Sequence, residues 1–345
     1  MSLDFEPLPF APVRTTDPQV FGRVAVLMGG TNSEREVSLD SGANVLAALR
    51  ARGIDAHAVD GIAALVDAIT AARAGTAPAF DRVFNILHGD VGENGVLQGL
   101  LEALGMPYTG SGVLGSALAL DKIRTKQVWI AEGLPTPRYI RLGKGQSVQA
   151  AAKTLGLPLV VKPSCEGSSV GISRVFDAAG LEEAVALAAR YPGELLVEQF
   201  IEPDPQVRGE YSIGVLNGRA LASVHILPAG AYYDYHAKYV ADDTQYICPG
   251  LDEAGEAQAR ANAERAYAAL GLAGAARIDF MIDATGAHWL IEANTAPGMT
   301  SHSLLPKSAA AFGISYEELC WRMLETSLPG EAPVAAALPA LGSGG

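Results

Sequence analysis

The spacing of apolar and polar positions changes period several times along the chain, and those changes divide it. Pro7, Pro9, Pro12 and Pro18 leave residues 1–22 without clear periodicity, so they read as a lead-in arm. The apolar run 24–28 then stops at Gly29-Gly30-Thr31, and helical spacing follows over 38–52 through Val45, Leu46 and Leu49. A second run, 82–87, stops at His88-Gly89-Asp90 and leads into a helical pattern through Leu97, Leu100, Leu101 and Leu104. Alternating strand and helix predict a doubly wound, Rossmann-like α/β lobe over 23–121, with ligands beyond the carboxyl ends of its strands. Strand patterns at 159–163 and 172–175 flank a polar, glycine-containing loop, and a helix (181–190) and a strand (194–200) follow. These make a small α+β lobe spanning 122–208. A third lobe, 209–328, takes strands at 211–216 and 223–227, a helix at 253–270 and a closing hairpin at 276–282 and 287–294. Within it, 232–246 carries too many Tyr and Asp breaks for a regular element and reads as a loop of a length that usually serves function. Residues 329–345, rich in Ala, Pro and Gly, read as a disordered tail.

Composition narrows the class. A chain of 345 residues accommodates two or three domains, and 49% apolar with 18% charged residues is globular rather than disordered. Lys and Arg number 25 against 38 Asp and Glu, a net charge of −13, which argues against duplex nucleic acid or an anionic membrane as partner. Cys165, Cys248 and Cys320 show no CxxC spacing and read as free thiols of a reducing cytoplasm. The first residues are acidic and proline-broken where a secretory signal needs cations and an unbroken apolar run. No stretch offers the roughly 18 apolar residues of a membrane helix. The expectation is a soluble, cytoplasmic protein.

The hairpin around Asp283-Ala284-Thr285-Gly286 is the most informative piece. If Ile282 pairs with Ala287, Arg277 faces Glu292 and Asp279 faces Leu290, and alternation puts Arg277, Asp279, Glu292 and Asn294 on one face. Three hard oxygen ligands beside one cation suit Mg²⁺ and the phosphates it carries; the plain alternative is a solvated hairpin face. The loop Glu166-Gly167-Ser168-Ser169-Val170-Gly171 offers backbone N–H groups and hydroxyls that could wrap phosphate, though it lacks the P-loop pattern and a simple hairpin turn would look the same. Lys122 and Lys162, each taken alone, read as solvated surface charges. Ser33 and Glu36 have capping-box spacing, whereas Glu34 between them has no such duty. His88, at a strand end, stands on the ligand side of its lobe.

Taken in order, the runs 29–38, Leu87-His88-Gly89, 107–112, Asp121-Lys122, Lys162-Pro163 with 166–171, Tyr233-Asp234-Tyr235 with Lys238-Tyr239, Arg277-Ile278-Asp279, and Glu292-Ala293-Asn294-Thr295 with 297–300 strongly resemble the D-alanine–D-alanine ligase family of ATP-grasp enzymes. The resemblance runs from about residue 23 to about 327. It implies an N-terminal α/β lobe followed by a two-lobe ATP-grasp fold, and ATP-dependent joining of two D-alanines through a D-alanyl phosphate, for peptidoglycan and cell-wall synthesis. ATP would lie between the middle and last lobes. Lys122, Lys162 and Lys238 would meet its phosphates under the loop of Glu166, Gly167, Ser168 and Ser169, and Glu198 and Glu210 would hold adenine and ribose. Asp279, Glu292 and Asn294 would bind two Mg²⁺ ions, for which Mn²⁺ would substitute. Arg277 and the Gly298 N–H would form the oxyanion site. Glu34, with His88 nearby, would hold the ammonium of the first D-alanine, and Ser303 and Leu304 would receive the second. The 232–246 loop would be a lid, with Tyr239 bonding toward Ser168 and Glu34; Lys238-Tyr239 favours an amine over a hydroxyl acceptor. The resemblance also implies a homodimer. Three departures stand out: the arm 1–22 and tail 329–345 lie outside the family pattern, Glu210-Tyr211-Ser212 replaces the usual Glu-Phe-Thr, and 203–208 before it looks lengthened. Two rivals remain at this point, another ATP-grasp carboxylate–amine ligase and a catalytically silent nucleotide-binding protein.

Overall fold

β1 (Arg23–Met28) is apolar at every position after the first because both of its faces are covered. It pairs in parallel with β2 (Asp55–Asp60) and β3 (Arg82–Asn85) in the order β2-β1-β3. Val24, Val26 and Met28 meet α1 (Arg35–Ala51) on one side. Ala25 and Leu27 meet α2 (Gly61–Arg73) and α4 (Val96–Ala103) on the other, with the short α3 (Asp90–Glu93) between β3 and α4. This is the doubly wound lobe the pattern predicts. The computed structural model describes residues 10–143, 146–167, 170–203, 210–228, 230 and 243–329.

Order begins before residue 23. Trp321 donates its indole N–H to the Thr15 carbonyl at 3.1 Å, Arg14 donates to the Glu325 carbonyl at 3.0 Å, and fully buried Phe21 meets the Trp321 ring edge-on. The described part of the arm is thus a strap packed on the C-terminal helix. The capping box at Ser33 and Glu36 does not form. α1 starts at Arg35 with Glu34 at the N-cap position, and Asn32 Oδ1 instead accepts the Glu34 N–H at 3.0 Å.

The middle sheet is antiparallel, in the order β4-β7-β5-β6, from β4 (Tyr139–Leu142), β5 (Leu159–Pro163), β6 (Ser173–Val175) and β7 (Leu195–Gln199). α7 (Val148–Leu155) and α8 (Leu181–Ala188) cover it, closing a core of its own through Leu159, Val161, Leu181 and Val197. α5 (Val113–Leu120) and α6 (Lys122–Ala131) precede this lobe, but α6 packs elsewhere than the 122–208 division placed it. Trp129, fully buried, joins the core of the third lobe and donates to the Ala266 carbonyl at 3.1 Å.

The third sheet has the order β10-β9-β8-β11-β12, from β8 (Glu210–Leu216), β9 (Arg219–Leu227), β10 (Gln245–Ile247), β11 (Ala275–Ile282) and β12 (His288–Asn294). α9 (Glu253–Ala269) covers one face. On the other, α10 (Leu304–Ala310) and α11 (Tyr316–Glu325) join the β1–α1 core, so the first and third lobes share one hydrophobic interior. Gln245 and Tyr246, read as loop, are strand residues paired with β9. Ser168, Ser169, Lys238 and Tyr239, with most of the expected lid and the tail from 330, lie outside the described residues.

Candidate active site

The hairpin register differs from the one a plain two-residue alternation gives. Ile282 pairs with His288 and Phe280 with Leu290, but Asp279 pairs with Glu292 and Arg277 with Asn294, so a bulge takes up Ile291. Without it Glu292 would pair opposite the buried Ile278 and point into the core. The extra residue turns Glu292 and Asn294 onto the face of Asp279 and Arg277. The shared face predicted from sequence exists, and the bulge is its cause.

On that face Asp279 is held from all sides. Its Oδ1 accepts from Ser212 Oγ at 2.6 Å and Arg277 Nε at 2.8 Å, and its Oδ2 accepts from Arg277 Nη2 at 2.8 Å and Asn294 Nδ2 at 3.1 Å. Lys122 Nζ stands 3.3 Å from Glu292 and donates to the Glu166 carbonyl at 2.6 Å, tying the glycine-containing loop to the hairpin. Neither Lys122 nor Lys162 is the solvated charge each suggests alone: both are buried, at 5% and 2% exposure. Lys162 pairs with Glu198 at 2.5 Å, and Glu198 pairs again with Lys126 at 2.8 Å. Burial disfavours the Glu198 charge, but the two ammonium groups outweigh it and hold its carboxyl below the usual range. Among the described residues no three His, Cys, Asp or Glu side chains cluster with metal-holding geometry; the hairpin reaches three oxygen donors only by counting the Asn294 amide.

Two clefts meet here. The first, about 110 Å³, lies between the middle and third sheets and is lined by Lys162, Glu198, Glu210, Phe200, Asp279 and Arg277 among others; Glu210 pairs with Arg174 at 3.3 Å across it. The second, about 70 Å³, lies between the first and third lobes and takes Glu34, His88, Gly167, Asn294, Gly298, Ser303 and Leu304. Arg277, Glu292 and Leu304 line both. The Glu34 carboxylate reaches so close to Gly89 that a Cβ there would stand 2.4 Å from Oε2, and one on Gly167 would stand 3.4 Å away. A Cβ on Gly298 would fall 2.7 Å from Ser303 Oγ, which also accepts the Thr300 N–H at 2.9 Å. Glycine at these points lets backbone approach polar side chains closely.

The segment after the hairpin is gripped from the first lobe. His88 Nδ1 lies 2.9 Å from the Ala296 carbonyl, Glu93 accepts both the Ala296 N–H (3.0 Å) and the Gly89 N–H (2.8 Å), and Ser41 Oγ accepts the Met299 N–H (3.1 Å). Burial lowers the His88 pKa, so the neutral ring donates from Nδ1. Burial, then the neighbouring Glu34 charge, push Glu93 up to about 7. Sequence reasoning missed Glu93, Lys126, Arg174 and Ser41. For Lys126 a signal was present, since it falls in the buried stripe of α6 with Lys122, Ile123 and Trp129.

A sequence profile described as "D-ala D-ala ligase C-terminus" matches residues 128–325, and one described as "D-ala D-ala ligase N-terminus" matches 64–111. The chain belongs to the D-alanine–D-alanine ligase family. It is 60% identical to D-alanine–D-alanine ligase B of Xanthomonas campestris pv. campestris over 324 residues, covering 92% of this chain and 98% of that protein. It is 55% identical to the D-alanine–D-alanine ligase of Xylella fastidiosa over 315 residues, 90% of this chain and all of that one. The crystal structure of the ligase from Bacillus anthracis complexed with ATP superposes with a TM-score of 0.74 at 31% identity, covering 88% of this chain and 97% of that one. The fold is therefore that of these ATP-grasp ligases. Among the described residues no helix is long and apolar enough to cross a membrane.

Proposed function

We propose that the chain joins two D-alanines at the expense of ATP, through a D-alanyl phosphate, supplying the dipeptide of peptidoglycan precursors. The observation that carries this reading is the junction of the two clefts at Arg277 and Glu292: a nucleotide in one cleft and an amino acid in the other would meet there. Lys122 and Lys162 would face the phosphates beneath the 166–171 loop, with Glu198 and Glu210 toward adenine and ribose; Glu34 and His88 would receive the first D-alanine, and Ser303 and Leu304 the second. Phosphoryl transfer turns a poor leaving group into a good one, after which the second amine attacks. Negative charge then grows on the carbonyl oxygen, where Arg277 and the Gly298 N–H would stabilise it. The segment carrying Lys238 and Tyr239, if it serves as the lid the family resemblance implies, would exclude water from the acyl phosphate.

Two carboxylates and an amide carbonyl are hard oxygen donors and fit Mg²⁺. Asp279 and Glu292 would hold two such ions, joined by Asn294 once its amide turns its oxygen rather than its N–H inward; Mn²⁺ would serve in their place. When bound they would neutralise phosphate charge. Since its substrate is ATP, the reaction belongs in the cytoplasm.

A homodimer, which the family resemblance implies, would find an apolar surface on α3, α4 and α5, where Val91, Val96, Val113 and Leu114 are exposed, Leu114 to 70%. Leu114→Asp is expected to convert a dimer to monomer in sedimentation velocity while leaving turnover per chain within about twofold. The substrate reading is tested by phosphate release with D-alanine, L-alanine, D-lactate and D-serine in turn. Release stimulated by D-alanine and not by L-alanine is expected; no stimulation by D-alanine would sink it.

A further inference from the structure

Lys126 belongs to neither cleft, yet it is the most completely buried cation beside them. Its side chain is fully enclosed, and its Nζ reaches Glu198 Oε2 at 2.8 Å, Thr136 Oγ1 at 2.6 Å and the Pro137 carbonyl at 3.3 Å. Thr136 in turn donates to the Leu290 carbonyl at 2.8 Å, so the lysine is anchored to the strand that carries Glu292. Its partner Glu198 lines the first cleft beside Lys162. The arrangement is a buried Lys126–Glu198–Lys162 triad with one positive charge in excess.

That excess has a use. Lys162 is neutralised here by Glu198, and an ammonium shared with a phosphate, or drawn over to it, would weaken or break that pair. Leaving a buried carboxylate alone is strongly unfavourable, since a buried ion pair broken on one side strands an uncompensated charge. We propose that Lys126 is a positioning residue for nucleotide binding: while protonated it holds Glu198 as a fixed, paired anion, so that Lys162 can shift from Glu198 toward the nucleotide without stranding a buried charge. The inference rests on the reading of the first cleft as the ATP site. Around Lys126 the titratable neighbours are Glu198 on β7, Lys162 on β5 and Tyr139 on β4, whose ring centroid lies 5.6 Å away. Burial, opposed by Glu198, brings the Lys126 ammonium down to about 8, within reach of ordinary assays.

Lys126→Met tests this by steady-state kinetics of the full chain. Glu198 then has only Lys162 and keeps it, so the KM for ATP is expected to rise about tenfold or more, with kcat and the KM for D-alanine within about threefold of the wild type. A KM for ATP that does not move, or a parallel loss in all parameters, would overturn the proposal. Lys126→Arg, which keeps the charge and the fold, provides a second arm. The wild-type KM for ATP should climb between pH 7 and 9 as Lys126 loses its proton, while the Arg variant, charged throughout, should stay flatter over that range; identical slopes would count against the idea. Direct ATP binding by the wild type separates the two levels. If the wild type binds no ATP, the cleft reading has failed; if it binds and the variants behave alike, only the role of Lys126 has.

Discussion

The second cleft is walled by lobes that share one hydrophobic core, whereas the first is walled by lobes with a core each. Met28, Val45, Leu305 and Trp321 pack in a single interior that runs from the parallel sheet to the C-terminal helices, and Ala296 and Met299 are bonded directly to the first lobe. Apart from α6, which packs on the third lobe, the middle lobe closes on itself through Leu159, Val161 and Val197, and the Glu166 carbonyl ties it to Lys122 on α6, which in turn pairs with Glu292. The difference assigns the parts. The amino-acid side is held by continuous packing, which sets Arg277 and Gly298 in place before substrate arrives. The nucleotide side is joined by charges and hydrogen bonds, which rearrange more readily than packed side chains.

The sharpest way to break this division is at the junction. Arg277→Ala should reduce dipeptide synthesis by at least about 10²-fold while ATP affinity changes little. Isothermal titration beside a turnover assay checks it, and near-normal turnover would remove the oxyanion role. The next effect is on stability. Trp321→Ala should cost about 3–5 kcal/mol and Leu159→Ala about 2–5 kcal/mol, but with different reach. Hydrogen exchange should show Trp321→Ala loosening the first and third lobes together, and Leu159→Ala loosening the middle lobe alone. Uniform loosening by both would mean that the cores are not separate.

A smaller effect comes from Glu93, which bridges Gly89 and Ala296 on the packed side. Its carboxyl stands above the ordinary 4.5, at about 7, so between these values the folded chain binds more protons than the unfolded one. Its contribution is therefore most favourable below about pH 4.5, is lost as pH rises toward 7, and is flat above. Glu93→Gln should remove a decline on the order of 3 kcal/mol across that window. Denaturant unfolding of both chains from pH 4.5 to 8 reads the difference, and parallel curves would contradict it.

Much of this was legible in the chain, for identifiable reasons. Strands buried on both faces announce themselves as unbroken apolar runs, as β1 does. β2, read as Asp-Ala-His-Ala-Val-Asp, carries too little apolar pattern and passed unnoticed with α2 behind it. The hairpin face was visible from alternation, but the bulge at Ile291 that produces it was not, because one extra residue leaves no mark in composition. Lys122 and Lys162 looked like surface charges because burial of a lysine depends on partners distant in sequence: Glu292 for one, Glu198 for the other. Glu93 and Ser41 were missed for the same reason, since each holds backbone more than two hundred positions away, Ala296 for Glu93 and Met299 for Ser41.

The central claim, that two D-alanines are joined where the clefts meet, is tested most directly by counting products in one reaction. With ATP, Mg²⁺ and D-alanine, phosphate release and D-alanyl-D-alanine measured by mass spectrometry should rise together, one dipeptide per phosphate. Phosphate released without dipeptide, or no release above the rate without D-alanine, would contradict it.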